Sequence, residues 1–343
     1  MSEFSTKSVC IIGTSNALVR GGWFDGFAAS WPYTLHRYAL GGAPFIQFLG
    51  KLNEILSNNY DIFIVDTSPN DESYASQVGS DLFFDSLYTM FLSTLVKYAP
   101  TVVLRIPTKK FISSSSPVFE RQVEICEAVG CHFIDCTKFI LSFAEQKNCS
   151  NSLYVDNYHP VANIMHQIGE KVSLYILSNS ISNLSTGHNY SPKFRTINIQ
   201  GDNFSQTSIS TSTYNGNFSM INAGLSYNFN KYFFCLGFFV DAGHCNGIIR
   251  LHGNGSHRDL SCHFDGNRNK NIAKFVCIPN GFFMKAISVE MPYKSIEFAL
   301  HSEFGHTPPF YITVSNFLEY SSEDSKYSKN NLIDIDCPVT KFV

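Results

Sequence analysis

From residue 8 to about residue 179, short apolar runs rich in β-branched side chains alternate with stretches of helical spacing. Residues 8–13 predict a strand, and 33–40 include another. Residues 61–66 (DIFIVD), 101–106 (TVVLRI) and 132–135 (HFID) are nearly continuous apolar runs, as expected for parallel strands covered on both faces. Between them, 45–56, 81–97, 119–129 and 161–177 carry apolar positions at helical spacing. This alternation predicts an open, doubly wound parallel sheet with helices on both faces. Ligands in such sheets sit outside the carboxyl ends of the strands, so residues just after a strand are the first candidates for chemistry.

Beyond residue 180 the pattern changes. Residues 179–217 are rich in Ser, Thr and Asn, with alternation at 196–200 and 207–213. Short aromatic or β-branched runs follow at 232–240, 247–252, 274–278, 282–289, 295–299 and 309–314, separated by Gly, Asn, Asp or Pro. No long amphipathic helix interrupts them. An all-β domain, sandwich or jelly roll, is predicted for residues 192–343, joined by a polar segment at 180–191 to an α/β domain of residues 1–180.

The 343 residues are 44% hydrophobic, enough for one large core or two ordinary ones. With 31 Phe and only 13 Pro the chain is neither disordered nor collagen-like. Lys and Arg total 25 against 28 acidic residues, a net charge of −3, so the basic field that nucleic acid requires is missing. The apolar run at 9–12 is too short for a signal peptide, and no run approaches the ~18 residues of a membrane span. A cytoplasmic protein is expected, its ten cysteines reduced and mostly in the core.

Four short motifs fall at the strand ends. The first strand runs into Gly13-Thr14-Ser15-Asn16, which puts a serine hydroxyl and its backbone N–H at the ligand edge; the same residues also make a helix N-cap. Gly41-Gly42-Ala43-Pro44 follows the second strand. A glycine there lets the backbone approach a ligand and offer its N–H, or the motif is a plain turn with Pro opening a helix. Asp66-Thr67-Ser68-Pro69-Asn70-Asp71 follows the third, with the Asn70 carboxamide as donor to a developing oxyanion or as part of a turn. Asp156-Asn157-Tyr158-His159-Pro160 precedes the last helix of the domain. An Asp three residues before a His can hold Nδ1–H and leave Nε2 as the base a serine nucleophile needs; the alternative is a capping Asp beside a surface His.

In this order and placement, the four motifs resemble the four blocks of the SGNH hydrolases, the GDSL-type esterase superfamily, over about residues 8–177. The resemblance implies a flavodoxin-like three-layer α/β/α catalytic domain followed by the β-rich accessory domain. It implies Ser15 as nucleophile, His159 as base and Asp156 as the residue orienting His159. The oxyanion hole would be the Ser15 N–H, the Gly42 N–H (or that of Gly41) and the Asn70 side chain, with no cofactor and no metal. The family's Gly-Asp-Ser reads Gly-Thr-Ser here, and its Gly-x-Asn-Asp reads Ser-Pro-Asn-Asp. Neither change removes a reacting group, but Ser68 in place of glycine bears on the shape of the substrate pocket. The expected activity is removal of O-acetyl or another small acyl group from an acylated carbohydrate through an acyl-serine. An O-acetyltransferase using acetyl-CoA, or a silent glycan-binding protein, is the alternative.

Cys235, His244, Cys245, His252, His257, Cys262 and His263 gather in the second half, but no pair has zinc-ligand spacing, and core thiols with loop histidines are expected instead. The aromatic runs 232–239 and 282–283 suit either a platform for sugar rings or a β core, and Trp23 and Trp31 either a substrate wall or packing. Packing is the expectation for all of them.

Overall fold

The computed structural model describes residues 7–42, 44–79, 81–114, 116–147, 153–179, 195–199, 205–210, 215–222, 224–243, 245, 247–262, 272–290 and 311–319. They form two compact units, one carried by the described residues of 7–76 and 81–179, the other by 77–79 and the described residues of 195–319.

In the first unit, β1 (Val9–Gly13), β2 (Leu35–Ala39), β3 (Ile62–Asp66), β4 (Thr101–Arg105) and β5 (His132–Asp135) make a parallel sheet in the order β2-β1-β3-β4-β5. Its helices are α1 (Trp23–Ser30), α2 (Ile46–Leu49), α3 (Leu52–Leu56), α4 (Ser68–Val78), α5 (Asp81–Tyr98), α6 (Pro117–Val129), α7 (Thr137–Lys147) and α8 (Ala162–Ser178). Side chains alternate across the sheet. Val9, Ile11, Ile62, Ile64, Val102 and Leu104 enter one core with Trp23, Phe27, Ile164, Ile168 and Val172 of α1 and α8. Cys10, Ile12, Phe63, Val65 and Val103, on the opposite face, are equally buried. An aromatic cluster forms where Phe45 meets Phe84, Tyr88 and Phe91 of α5. Burial of each such side chain stabilises by about 1.5–3 kcal/mol, which is why both faces are covered. Where α1 crosses α8, a Cβ on Gly26 or Gly169 would run into backbone of the other helix, so the two glycines set how closely the helices approach.

The predicted helix over 45–56 is two short helices, α2 and α3, interrupted at Gly50 and Lys51. Periodicity does not mark α1, α4 or α7. Residues 68–71, turn-like in composition, begin α4 instead; Pro69 in the first helical turn has no N–H to leave unpaired.

Among the described residues, the second unit holds one antiparallel sheet of eight strands. These are β6 (Arg195–Asn198), β7 (Ser205–Ser210), β8 (Asn215–Asn222), β9 (Ser226–Asp241), β10 (Ile248–His252), β11 (His257–Ser261), β12 (Ala273–Glu290) and β13 (Tyr311–Glu319). Their order is β11-β10-β12-β9-β13-β8-β7, with β6 paired to β13. The predicted α/β/α domain followed by an all-β domain is thus the fold observed. The runs 274–278 and 282–289, expected as two strands, are one strand, β12. Its register against β9 shifts between Cys277 and Phe282, and Asn280 and Gly281 absorb the irregularity at φ 58° and 65°. The core holds Phe229, Phe233, Phe238, Ile249, Met284 and Ile287. Most of the aromatic runs therefore pack inward, whereas Tyr232 and Phe283 are exposed and stacked, with centroids 5.4 Å apart. Cys235, Cys245 and Cys262 are buried in the same core, and burial pushes the Cys262 thiol up. His252 Nε2 is 2.8 Å from Ser288 Oγ. His244, His263, and the segments 180–191 and 295–299 lie outside the described residues. No described helix is long and apolar enough to cross a membrane.

Candidate active site

The parallel register brings the first three motifs to one edge. Gly13 at the end of β1 is level with Ala39 of β2 and Asp66 of β3, so the Ser15, Gly41-Gly42 and Ser68–Asn70 segments leave the sheet side by side. Thr14, not Ser15, caps the 3-10 turn Ser15–Leu18: its Oγ1 accepts the Asn16 N–H at 3.3 Å. That frees the Ser15 hydroxyl, which lies 2.7 Å from His159 Nε2 across 144 sequence positions.

His159 sits in a closed loop. Tyr154 bridges to Pro160, the Val155 N–H donates to the His159 carbonyl at 2.8 Å, and the Val161 N–H to the Leu153 carbonyl at 2.9 Å. From the loop after β4, the Lys109 N–H donates to the Asn157 carbonyl at 2.9 Å. Asp156 Oδ2 is 2.8 Å from His159 Nδ1, and its Oδ1 accepts the N–H groups of Tyr158 and His159 at 2.7 and 2.9 Å. Its slight burial pushes the carboxyl up, but these N–H donors and the imidazole outweigh that and hold it below the ordinary aspartate range. An ionised Asp156 fixes the tautomer with the proton on Nδ1 and the lone pair of Nε2 toward Ser15.

Gly42 has φ 65°, in the region that favours glycine, and Gln47 Nε2 donates to its carbonyl at 3.2 Å. Among the described residues, no acceptor takes the N–H of Gly41 or Gly42. Asn70 lies in the first turn of α4, is 5% exposed, and its Nδ2 has no hydrogen-bond partner among the described residues. A buried amide donor without an acceptor costs stability, and a ligand at this edge would supply the missing partner.

Sequence reasoning gave no role to the groups that hold this edge together, although Asp66 and Asp71 lie in the third motif. Asp71 accepts the Phe45 N–H and the Thr67 hydroxyl at 2.8 Å each and the Gln122 amide at 2.9 Å, yet burial pushes it up to about 7. Asp66 accepts the Trp23 indole N–H at 2.8 Å, and burial pushes its carboxyl up as well. Trp23 and Trp31 are both buried, so they pack and do not form a substrate wall. Arg105 at the end of β4 ties Glu72 of α4 (2.9 Å) to Asp135 (3.1 Å) and Thr137 (2.8 Å), and its guanidinium covers the Phe119 ring. Glu72 is pushed up by burial and pulled back by Arg105. The spacing of these residues carries no local signature. Only continuous strands ending in acidic or basic side chains hinted at them.

No protein-family model and no curated protein sequence matches the chain. Among solved structures, a two-domain esterase described as active on acetylated mannans aligns over 93% of this chain and 92% of its own, with a TM-score of 0.59 and 10% identity. YxiM from Bacillus subtilis aligns over 52% of this chain and 58% of its own at TM-score 0.43 and 14% identity. The C-terminal catalytic domain of peptidoglycan O-acetyltransferase A from Streptococcus pneumoniae aligns over 52% and 98%, at TM-score 0.35 and 13% identity. The first likeness, at 10% identity, is one of fold alone, shared along an α/β domain followed by a second, β domain.

Proposed function

We propose that the protein is a serine-dependent SGNH-type esterase that removes O-acetyl or other small acyl groups from a carbohydrate through an acyl-serine intermediate. The observation that carries this reading is the hydrogen-bonded line Ser15 Oγ, His159 Nε2, His159 Nδ1, Asp156. In the first step Nε2 takes the Ser15 proton while Oγ attacks the ester carbonyl. The tetrahedral oxyanion accepts hydrogen bonds from the Ser15 and Gly42 N–H groups and from Asn70 Nδ2, each preorganised donor being worth about 3 kcal/mol in acyl transfer. The imidazolium then protonates the leaving sugar oxygen, and the C–O bond breaks. In the second step water gives its proton to Nε2 and attacks the acyl-serine, and collapse of the intermediate returns the proton to Ser15 and releases the carboxylic acid. Asp156 stays ionised throughout and stabilises the imidazolium.

A carbohydrate substrate is supported by the fold shared along nearly the whole chain with an esterase described as active on acetylated mannans. The test is turnover of p-nitrophenyl acetate and of an acetylated oligosaccharide by wild type and Ser15→Ala. Serine-dependent release of acetate from both is expected. Transfer of acetyl to added sugar with little release to water would instead make the protein an acetyltransferase. Loss of serine dependence on every ester and with acetyl-CoA would overturn the reading.

A further inference from the structure

A cleft of about 460 Å³ opens beside the His159 loop. Its walls include Asn157 and Tyr158 from that loop, Ser73 of α4 three positions beyond Asn70, and Lys109, Lys110 and Phe111 of the 3-10 turn after β4. The basic wall is fixed relative to the base by two bonds: the Lys109 N–H to the Asn157 carbonyl, and the Tyr154 hydroxyl to the Pro107 carbonyl at 2.8 Å. Among the described residues neither ammonium has an acidic partner, and the Lys110 Nζ rests 4.9 Å from the Phe111 ring centroid. Glu72 also lines the cleft, but its carboxylate is held by Arg105 at 2.9 Å. Tyr158, 42% exposed and edge-on to His159, offers an apolar face, and Asn157 and Ser73 offer uncharged hydrogen-bonding groups.

In a chain with net charge −3, two adjacent ammonium groups without an acidic partner among the described residues, on a cleft lined by the two residues before the base, make a local anion site. The aromatic ring and the amide are suited to the rest of a sugar. We propose that this cleft binds an anionic sugar unit of the glycan, one bearing a carboxylate or a phosphate, next to the acylated position, with Lys109 and Lys110 determining the preference. The acylated substrate rests on the esterase reading above; the anion binding does not require turnover.

The test is calorimetry on Ser15→Ala protein with an oligouronate, a sugar phosphate and a neutral oligosaccharide of matched length. At low salt, at least one anionic ligand should bind about tenfold tighter than the neutral one. The double substitution Lys109→Ala, Lys110→Ala should abolish that preference, and Lys109→Arg, Lys110→Arg should keep it. Whichever anionic ligand binds tighter identifies the source of the charge. No binding by either, equal binding of neutral and anionic ligands, or a preference surviving the double alanine variant overturns the proposal. A parallel arm compares kcat/KM for acetylated anionic and acetylated neutral oligosaccharides within each protein, and the ratio should fall about tenfold in the alanine variant. Serine-dependent turnover without this preference defeats the subsite alone. Anion binding without serine-dependent turnover of any ester defeats the esterase reading alone.

Discussion

The Asp71 carboxylate accepts the backbone N–H of Phe45 at 2.8 Å, and so fastens the chain just after the Gly41-Gly42 turn to the first turn of α4. Its neighbour Asn70 leaves its amide donor without a partner. Two adjacent side chains thus differ: one holds the strand-end loops together, and the other keeps its amide donor unpaired among the described residues.

Asp71 should make stability fall with rising pH. Burial raises its pKa to about 7 from an ordinary 3.8, against the opposing bonds from Phe45, Thr67 and Gln122. Below about pH 4 both folded and unfolded chains hold the proton. From there to about pH 7 only the folded chain does, so its contribution is lost across that window. Asp66, raised by burial too, acts in the same sense. Urea denaturation across this range should show a shallower decline for Asp71→Asn than for wild type, and equal slopes would contradict the assignment.

Ser15→Ala and His159→Ala should each lower kcat/KM on p-nitrophenyl acetate by about 10³-fold or more, and the double variant should be little worse than either, because triad members act as a unit. A fluorophosphonate should label wild type and not Ser15→Ala. Additive losses in the double variant would show that the two residues act independently.

Asn70→Ala should lower kcat by about 10²-fold or more, with KM changing far less. Because its Nδ2 has no partner among the described residues, the melting temperature should hardly move. A large drop in melting temperature with kcat intact would make Asn70 a structural residue.

Gly169→Ala should destabilise by about 1–3 kcal/mol, since the added methyl meets the Trp23 carbonyl and the Phe27 N–H, which belong to a helix that cannot move alone. Thermal unfolding would register the loss. As α8 follows directly on the His159 loop, kcat should fall with it, and a variant as stable as wild type would mean the helices can separate at no cost.

Much of the fold is legible in local pattern. Buried parallel strands need apolar side chains on both faces, and β1, β3, β4 and β5 show it. Element boundaries are less so. The helix α4 hides behind Ser-Pro-Asn-Asp because a helix's first turn and a reverse turn favour the same residues. β12 hides as two strands because Pro279-Asn280-Gly281 reads as a turn and serves as an irregularity within one ladder.

By itself the sequence determined the periodicities, the two-part division and the four motifs with their order, because each is a property of neighbouring residues. Only the tertiary structure decided that Thr14 does the capping and so leaves Ser15 free, that His159 reaches it, and that Asp71 and Arg105 hold the surrounding loops. Those relations join residues as far as 144 positions apart. They exist because strand order and register bring separate chain ends to one edge of the sheet, and nothing in the spacing of residues along the chain encodes that meeting.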